Sequence, residues 1–154
     1  MSNGEWLCGS SLEPDWISLM EIYSPEQDRW IERNILKASG SSINNGIIQP
    51  TVWESEPGRV HTLMRSSMCR LFRADSADYG RTWNMPYAIE LPSNNSGIDL
   101  ARLPGGELVL AYPDQLCVAA GRARSVQSAM PTRRPGPVTS RRALRYVQPA
   151  HSQS

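Results

Sequence analysis

Apolar residues along this chain come in short, evenly spaced runs broken by turn chemistry, and no run carries a sustained helical period. The runs fall at 5–10, 16–23, 30–36, 48–54, 59–65, 69–75, 98–103 and 107–112, each of strand length and rich in β-branched or aromatic residues. Between them lie Glu-Pro-Asp at 13–15, Ser-Gly-Ser-Ser at 39–42, Asn-Asn-Gly at 44–46, Glu-Pro-Gly at 56–58, Ser-Asn-Asn-Ser-Gly at 93–97 and Pro-Gly-Gly at 104–106. Such residues favour tight reversals over continued strands. The pattern predicts an all-β chain: a sandwich, a barrel or a propeller.

One turn is more specific than the rest. Ser76-Ala77-Asp78-Tyr79-Gly80-Arg81-Thr82-Trp83 has the form S-x-D-x-G-x-T-W. In it Asp78 can accept backbone N–H bonds across the turn, Gly80 can take positive φ, and the Trp83 ring can pin the departing strand. A weaker copy, Ser24 to Trp30, also follows a strand run and ends in Trp. The two tryptophans lie 53 positions apart, close to the roughly 40–50 residues of one propeller blade. On that period residues 48–91 form one whole blade as a four-stranded sheet. Residues 5–37 supply the last strands of the blade before it, and 97–112 the first two strands of the blade after it.

Charge divides the chain. Residues 1–113 hold nine Lys and Arg against fourteen Asp and Glu, whereas residues 114–154 hold seven Arg and one Asp. The alternation also stops after Pro113, and the tail is rich in Arg, Pro, Ser and Ala. It reads as an irregular segment, disordered or out of frame, with at most a short helix over 138–148. Because Lys37 is the single lysine among sixteen basic residues, the arginines reflect coding bias more than a phosphate-binding surface, and no nucleic-acid partner is expected. Cys8, Cys69 and Cys117 lack paired spacing and read as free thiols; with only His61 and His151 beside them, no metal or other cofactor is expected. No signal peptide or apolar run of membrane-spanning length occurs in the sequence, which as it stands reads as cytoplasmic and without a membrane partner.

Taken in order, Gln49-Pro50-Thr51-Val52-Trp53-Glu54, the strand ending in Arg65-Ser66, the turn at 76–83, and Asn94-Asn95-Ser96-Gly97-Ile98-Asp99 followed by Leu103-Pro104-Gly105-Gly106-Glu107-Leu108-Val109-Leu110 resemble the sialidase (neuraminidase) superfamily of Asp-box, or BNR-repeat, propellers, in particular its bacterial and fungal branch. The resemblance covers residues 5–113, about a third of a six-bladed domain. It implies a partial six-bladed β-propeller of about two blades, with residues 114–154 outside it.

The resemblance also implies roles for residues. Arg65 matches an arginine of a carboxylate-binding triad, and a guanidinium offers a carboxylate paired N–H donors that Lys cannot copy. Gln49 falls where active sialidases carry the glutamate that activates a tyrosine nucleophile. An amide cannot take up that proton, so catalysis at Gln49 is in doubt. Glu54 offers a carboxylate nearby, either catalytic or simply a charge at the rim. Asn94, Asn95 and Asp99 lie in a loop leading to the ligand face and carry donors and acceptors suited to a glycan. Ser76, Asp78, Gly80, Thr82 and Trp83 are structural, closing the outer hairpin of a blade away from the ligand. The ligand implied is a glycan ending in an acidic sugar. The function implied is that of a glycoside hydrolase of exo-sialidase type, with a non-catalytic carbohydrate-binding propeller or an inactive truncated product as alternatives. Strands 5–10 and 107–112, expected as unpaired edges, would favour self-association.

Overall fold

The computed structural model describes residues 1–13, 15–42, 44–113 and 141–146. It contains β1 (Trp6–Leu12), β2 (Ile17–Ser24), β3 (Arg29–Leu36), β4 (Ile47–Glu56), β5 (Arg59–Ser66), β6 (Arg70–Ser76), β7 (Tyr87–Pro92), β8 (Asp99–Arg102), β9 (Leu108–Pro113) and β10 (Arg141–Tyr146). These make three antiparallel sheets, β1-β2-β3, β4-β5-β6-β7 and β8-β9-β10. No helix occurs among the described residues. The all-β expectation and the four-stranded sheet over 48–91 both match this architecture.

The central sheet is covered on both faces, because neighbouring residues on a strand point to opposite sides. Met64 and Phe72 join Met20 and Leu36 in a core shared with the first sheet. Leu63 and Leu71, one position earlier on the same strands, join Trp53, Leu108, Leu110 and Tyr112 in a core shared with the third. This double covering explains the nearly continuous burial of Val60 to Met64 on β5. Of these, Val60, Leu63 and Met64 each contribute about 1.5–3 kcal/mol by burial.

The structure departs from the sequence reading at three strands. β7 closes the central sheet through Tyr87–Pro92, a stretch whose weak alternation did not stand out as a run. Arg141–Tyr146 is a strand and not part of a short helix, since its backbone pairs with β9 from Arg141 opposite Pro113 to Tyr146 opposite Leu108. In consequence β9 lies between β8 and β10, so the 107–112 run is not an unpaired edge. β1 does stand at the edge of its sheet. The rest of the tail expectation, at 114–140 and 147–154, falls outside the described residues.

The two related turns also part ways. Residues 25–28 turn β2 into β3, and Ser24 Oγ accepts the Gln27 N–H at 3.3 Å. Yet Trp30 remains 57% exposed and meets Tyr23 edge-on, whereas Trp83 is half-buried and packs against the core between the first two sheets. The copy keeps the hairpin without the anchor.

Candidate functional site

Arg65 occupies the end of β5, opposite Ile48 on β4. Beyond it, Ser66 and Ser93 are buried. Ser93 Oγ donates to Ser66 O (3.3 Å) and accepts the Asn95 N–H (3.2 Å), which ties the 93–97 loop to the strand end and brings Asn95 beside Arg65. Arg65 Nε donates to Gln49 Oε1 (2.8 Å), and Nη1 donates to Asn95 O (2.7 Å) and Asn95 Oδ1 (2.5 Å). Nη2 makes no hydrogen bond among the described residues; Glu13 Oε1 stands 3.9 Å away. The Trp16 ring lies under the guanidinium, 5.6 Å from Cζ to centroid, within cation–π range.

Burial draws the Arg65 pKa below its ordinary value, and the Glu13 charge opposes that shift. The guanidinium stays charged at neutral pH. Its side chain is 13% exposed, so the charge is partly desolvated and the open Nη2 edge attracts an anion more strongly than a surface arginine does. A carboxylate arriving there meets Nη2 alone unless Gln49 Oε1 gives up Nε. Gln49 is exposed, so that exchange requires movement of one solvent-facing amide.

Gln49 is held in an unusual backbone. Its φ is +53°, within a break of register between Ile48 and Thr51, and its N–H donates to Ser11 Oγ (2.6 Å). The bulge turns the side chain toward Arg65, as bulges commonly do next to sites. Beside it opens a polar depression of about 610 Å³ lined by residues of β1, the β1–β2 turn, β4 and the start of β8, among them Ser11, Glu13, Gln49, Pro50 and Asp99. Asp99 is thus near the cluster, with its own carboxylate accepting the Leu100 N–H. Asn94 serves the loop, where its Oδ1 accepts the Ser96 N–H (3.0 Å).

Glu54 is elsewhere. It stands near the opposite end of β4, paired with Val60, and accepts bonds from Ser2 N–H (2.7 Å), Ser2 Oγ (2.8 Å) and Gly58 N–H (3.0 Å). Burial alone would raise its pKa, but these donors outweigh burial and lower it. A carboxylate so engaged ties the N-terminus to the β4–β5 turn, and the structure does not bring it to Arg65.

The turn at 76–83 closes on itself. Asp78 Oδ1 accepts the Thr82 N–H (2.8 Å) and the Ser76 hydroxyl (2.8 Å), and Oδ2 accepts the Thr82 hydroxyl (2.6 Å). Trp83 Nε1 donates to Gly80 O (2.8 Å). Gly80 has φ +81°, and an added Cβ would come within 3.1 Å of Leu7, so both conformation and space call for glycine. Ser76 pairs with Val60 at the start of β5, five residues before Arg65, roughly 17 Å at the usual strand rise. Arg65, Gln49 and Asn95 gather at one end of the central sheet and Asp78 at the other.

Residues 1–135 match the family of the BNR repeat-like domain. The chain belongs to that family. The match runs past residue 113, where the resemblance read from sequence stopped. No curated protein matches. Among solved structures, a mutant of NanB sialidase from Streptococcus pneumoniae is similar with a TM-score of 0.58 at 13% identity, over 73% of this chain and 17% of that one. NanB sialidase in complex with 2-[(3-chlorobenzyl)ammonio]ethanesulfonate is similar with a TM-score of 0.51 at 18% identity, over 73% of this chain and 20% of the other. The fold is that of part of a sialidase propeller, and the chain spans about a fifth of those structures' length.

Within this BNR-repeat chain, sequence reasoning missed Ser11, Glu13 and Trp16. Glu13 sat in a stretch legible only as a turn, and Trp16 looked like the start of a strand. No local pattern linked either to Arg65; the link is the packing of β1 and the β1–β2 turn beside β4. Among the described residues no group of three or more His, Cys, Asp or Glu is placed to hold a metal, and no helix is long and apolar enough to cross a membrane.

Proposed function

We propose that this BNR-repeat chain contributes to a sialidase-like domain and binds the carboxylate of a terminal acidic sugar through Arg65. The observation that carries the reading is a partly desolvated guanidinium whose Nε and Nη1 are fixed by Gln49 and Asn95, while Nη2 makes no hydrogen bond among the described residues and only a 3.9 Å ion pair with the exposed Glu13, which a ligand carboxylate would displace. The polar depression beside it supplies Asp99, Ser11 and the Gln49 amide for sugar hydroxyls. The NanB complex, whose ligand carries a sulfonate, supports an anionic ligand by analogy of fold.

Binding without turnover is the reading that Gln49 favours. An amide at that position cannot serve as a general base, and Glu54 is occupied at the far end of the strand. β1, as an open edge, offers a route to self-association.

Titration of the isotope-labelled protein with sialic acid and with its methyl ester tests the proposal. Saturable shifts at Gln49, Asn95 and the Trp16 indole are expected with the acid, and at least tenfold weaker binding with the ester. Equal response to both would remove the carboxylate from the account. A sialoside reporter should show no hydrolysis above background; turnover lost in Arg65→Ala would replace binding by catalysis.

A further inference from the structure

A second cluster of chemically capable groups lies on the face of the central sheet that meets the third sheet. Trp53, His61 and Asp75 stand in register across β4, β5 and β6. His61 Nδ1 lies 2.5 Å from Asp75 Oδ1, and His61 Nε2 lies 2.8 Å from Ser55 Oγ. The direction of these bonds follows from Asp75. Its oxygens also accept from Arg73 Nε (2.7 Å) and Tyr87 Oη (2.8 Å), so it is ionised and can only accept. Arg73 Nη2, which can only donate, also lies 3.0 Å from His61 Nδ1, but the shorter contact to the carboxylate prevails, so His61 carries its proton on Nδ1 and presents a lone pair at Nε2. Ser55 is the hydroxyl that donates to it. The alternative acceptor for that hydroxyl, Arg59 O, is farther away at 3.4 Å.

Two further observations point to a ligand. Trp53 stacks on His61 with centroids 5.0 Å apart, and its Nε1–H is buried without a hydrogen-bond partner among the described residues. Trp53 and Arg73 also line a mainly apolar cavity of about 290 Å³ together with Leu63, Ile89, Leu100 and Leu110. A nucleophile, a base and a carboxylate that orients the base thus stand together, and Trp53 and Arg73, which contact His61 and Asp75, form the wall between them and the apolar hollow.

We propose that Ser55, His61 and Asp75 form an acyl-transfer site for esters of short apolar acids, separate from the Arg65 site. In the step this geometry allows, Ser55 Oγ forms a bond to the acyl carbon as its proton passes to His61 Nε2. The C–O bond to the alcohol then breaks, and the alcohol leaves with that proton. Water repeats the sequence on the acyl-serine, releasing the acid and restoring Ser55. Asp75 faces the Nδ1–H throughout and steadies the imidazolium. The apolar hollow takes the acyl chain, and its size admits only a short one. Arg73 shares Asp75 with His61, its Nη2 lying 2.7 Å from the same oxygen.

A biotin-tagged alkyl fluorophosphonate, which traps serines activated in this way, is the probe. With the folded full chain, mass spectrometry should find the adduct on Ser55. Ser55→Ala should abolish it, and His61→Gln should slow it about a hundredfold, the usual worth of a positioned base. If His61→Gln does not fold, urea-denatured wild type serves as the comparator and should label at a similarly reduced rate. Absence of the adduct in folded wild type, an adduct only on other serines, or equal rates in wild type and the comparator would each overturn the proposal.

Discussion

The two ends of the central sheet each carry a hydrogen-bonded polar cluster and do opposite things with it. At the Asp78 end both carboxylate oxygens are taken by neighbours within the turn, Ser76 and Thr82, and the Trp83 indole N–H is satisfied by Gly80. At the Arg65 end a charged group is assembled just as carefully, yet Nη2 is left without a hydrogen bond among the described residues. A closed set of bonds spends its free energy on the fold; one left open can spend it on a ligand. The comparison teaches that the most conspicuous motif of the sequence and the best ligand-binding candidate are separate objects.

Substitutions can break that distinction. The largest effect is expected on the same sheet at Asp75, which Arg73, His61 and Tyr87 all contact. Asp75→Ala would strand three partners and should cost about 3 kcal/mol in urea unfolding, the lower end for breaking a buried pair. Trp83→Ala should cost about 2–3 kcal/mol, less than a fully buried aromatic because the ring is only half-buried. Asp78→Ala should cost about 1–2 kcal/mol by leaving the turn hydroxyls and the Thr82 N–H to water. Arg65→Ala should cost about 1 kcal/mol or less, since Gln49 is exposed and the half-buried Asn95 can turn to water. If Arg65→Ala proved as damaging as Asp78→Ala, the two ends would not differ in kind.

Acid sharpens the same contrast. Burial alone would raise the Asp75 carboxyl, but bonds from His61, Arg73 and Tyr87 and the charge of Arg73 prevail and hold it well below the usual carboxylate range. Asp78 is lowered too, its bonds from Thr82 and Ser76 outweighing desolvation. A carboxyl depressed in the folded state contributes stability that is complete above its unfolded pKa, about 3.9, and is lost as pH falls toward the folded value. Melting temperature should therefore be flat from pH 7 to about 5 and decline below about 4. Asp75→Asn should reduce the decline, and an unchanged slope would contradict the assigned network.

How much of this could be read from sequence follows from how local each signal is. The box at 76–83 was legible because its bonds join residues no more than four apart. Strands β4 to β6 were legible because their pattern is strong. β7 was weaker, since its exposed Tyr87, Ala88 and Glu90 blur the alternation. β10 was hidden because its pairing with β9 depends on a partner about thirty residues away in the chain. At the site, Arg65, Gln49 and Asn95 were proposed from their motifs and do meet. Glu13 and Trp16 were not, for they reach Arg65 only through tertiary packing. Glu54 shows the converse: five residues from Gln49 in sequence, it lies near the other end of the strand because a strand extends and does not turn back.

The most direct test measures sialic acid affinity and melting temperature on the same samples of wild type, Arg65→Ala and Asp78→Ala. The account predicts that Arg65→Ala loses at least tenfold in affinity with little change in melting temperature, while Asp78→Ala melts several degrees lower and, where still folded, binds as wild type does. Wild type that does not bind, or an Arg65→Ala variant that binds as well as wild type, would contradict it.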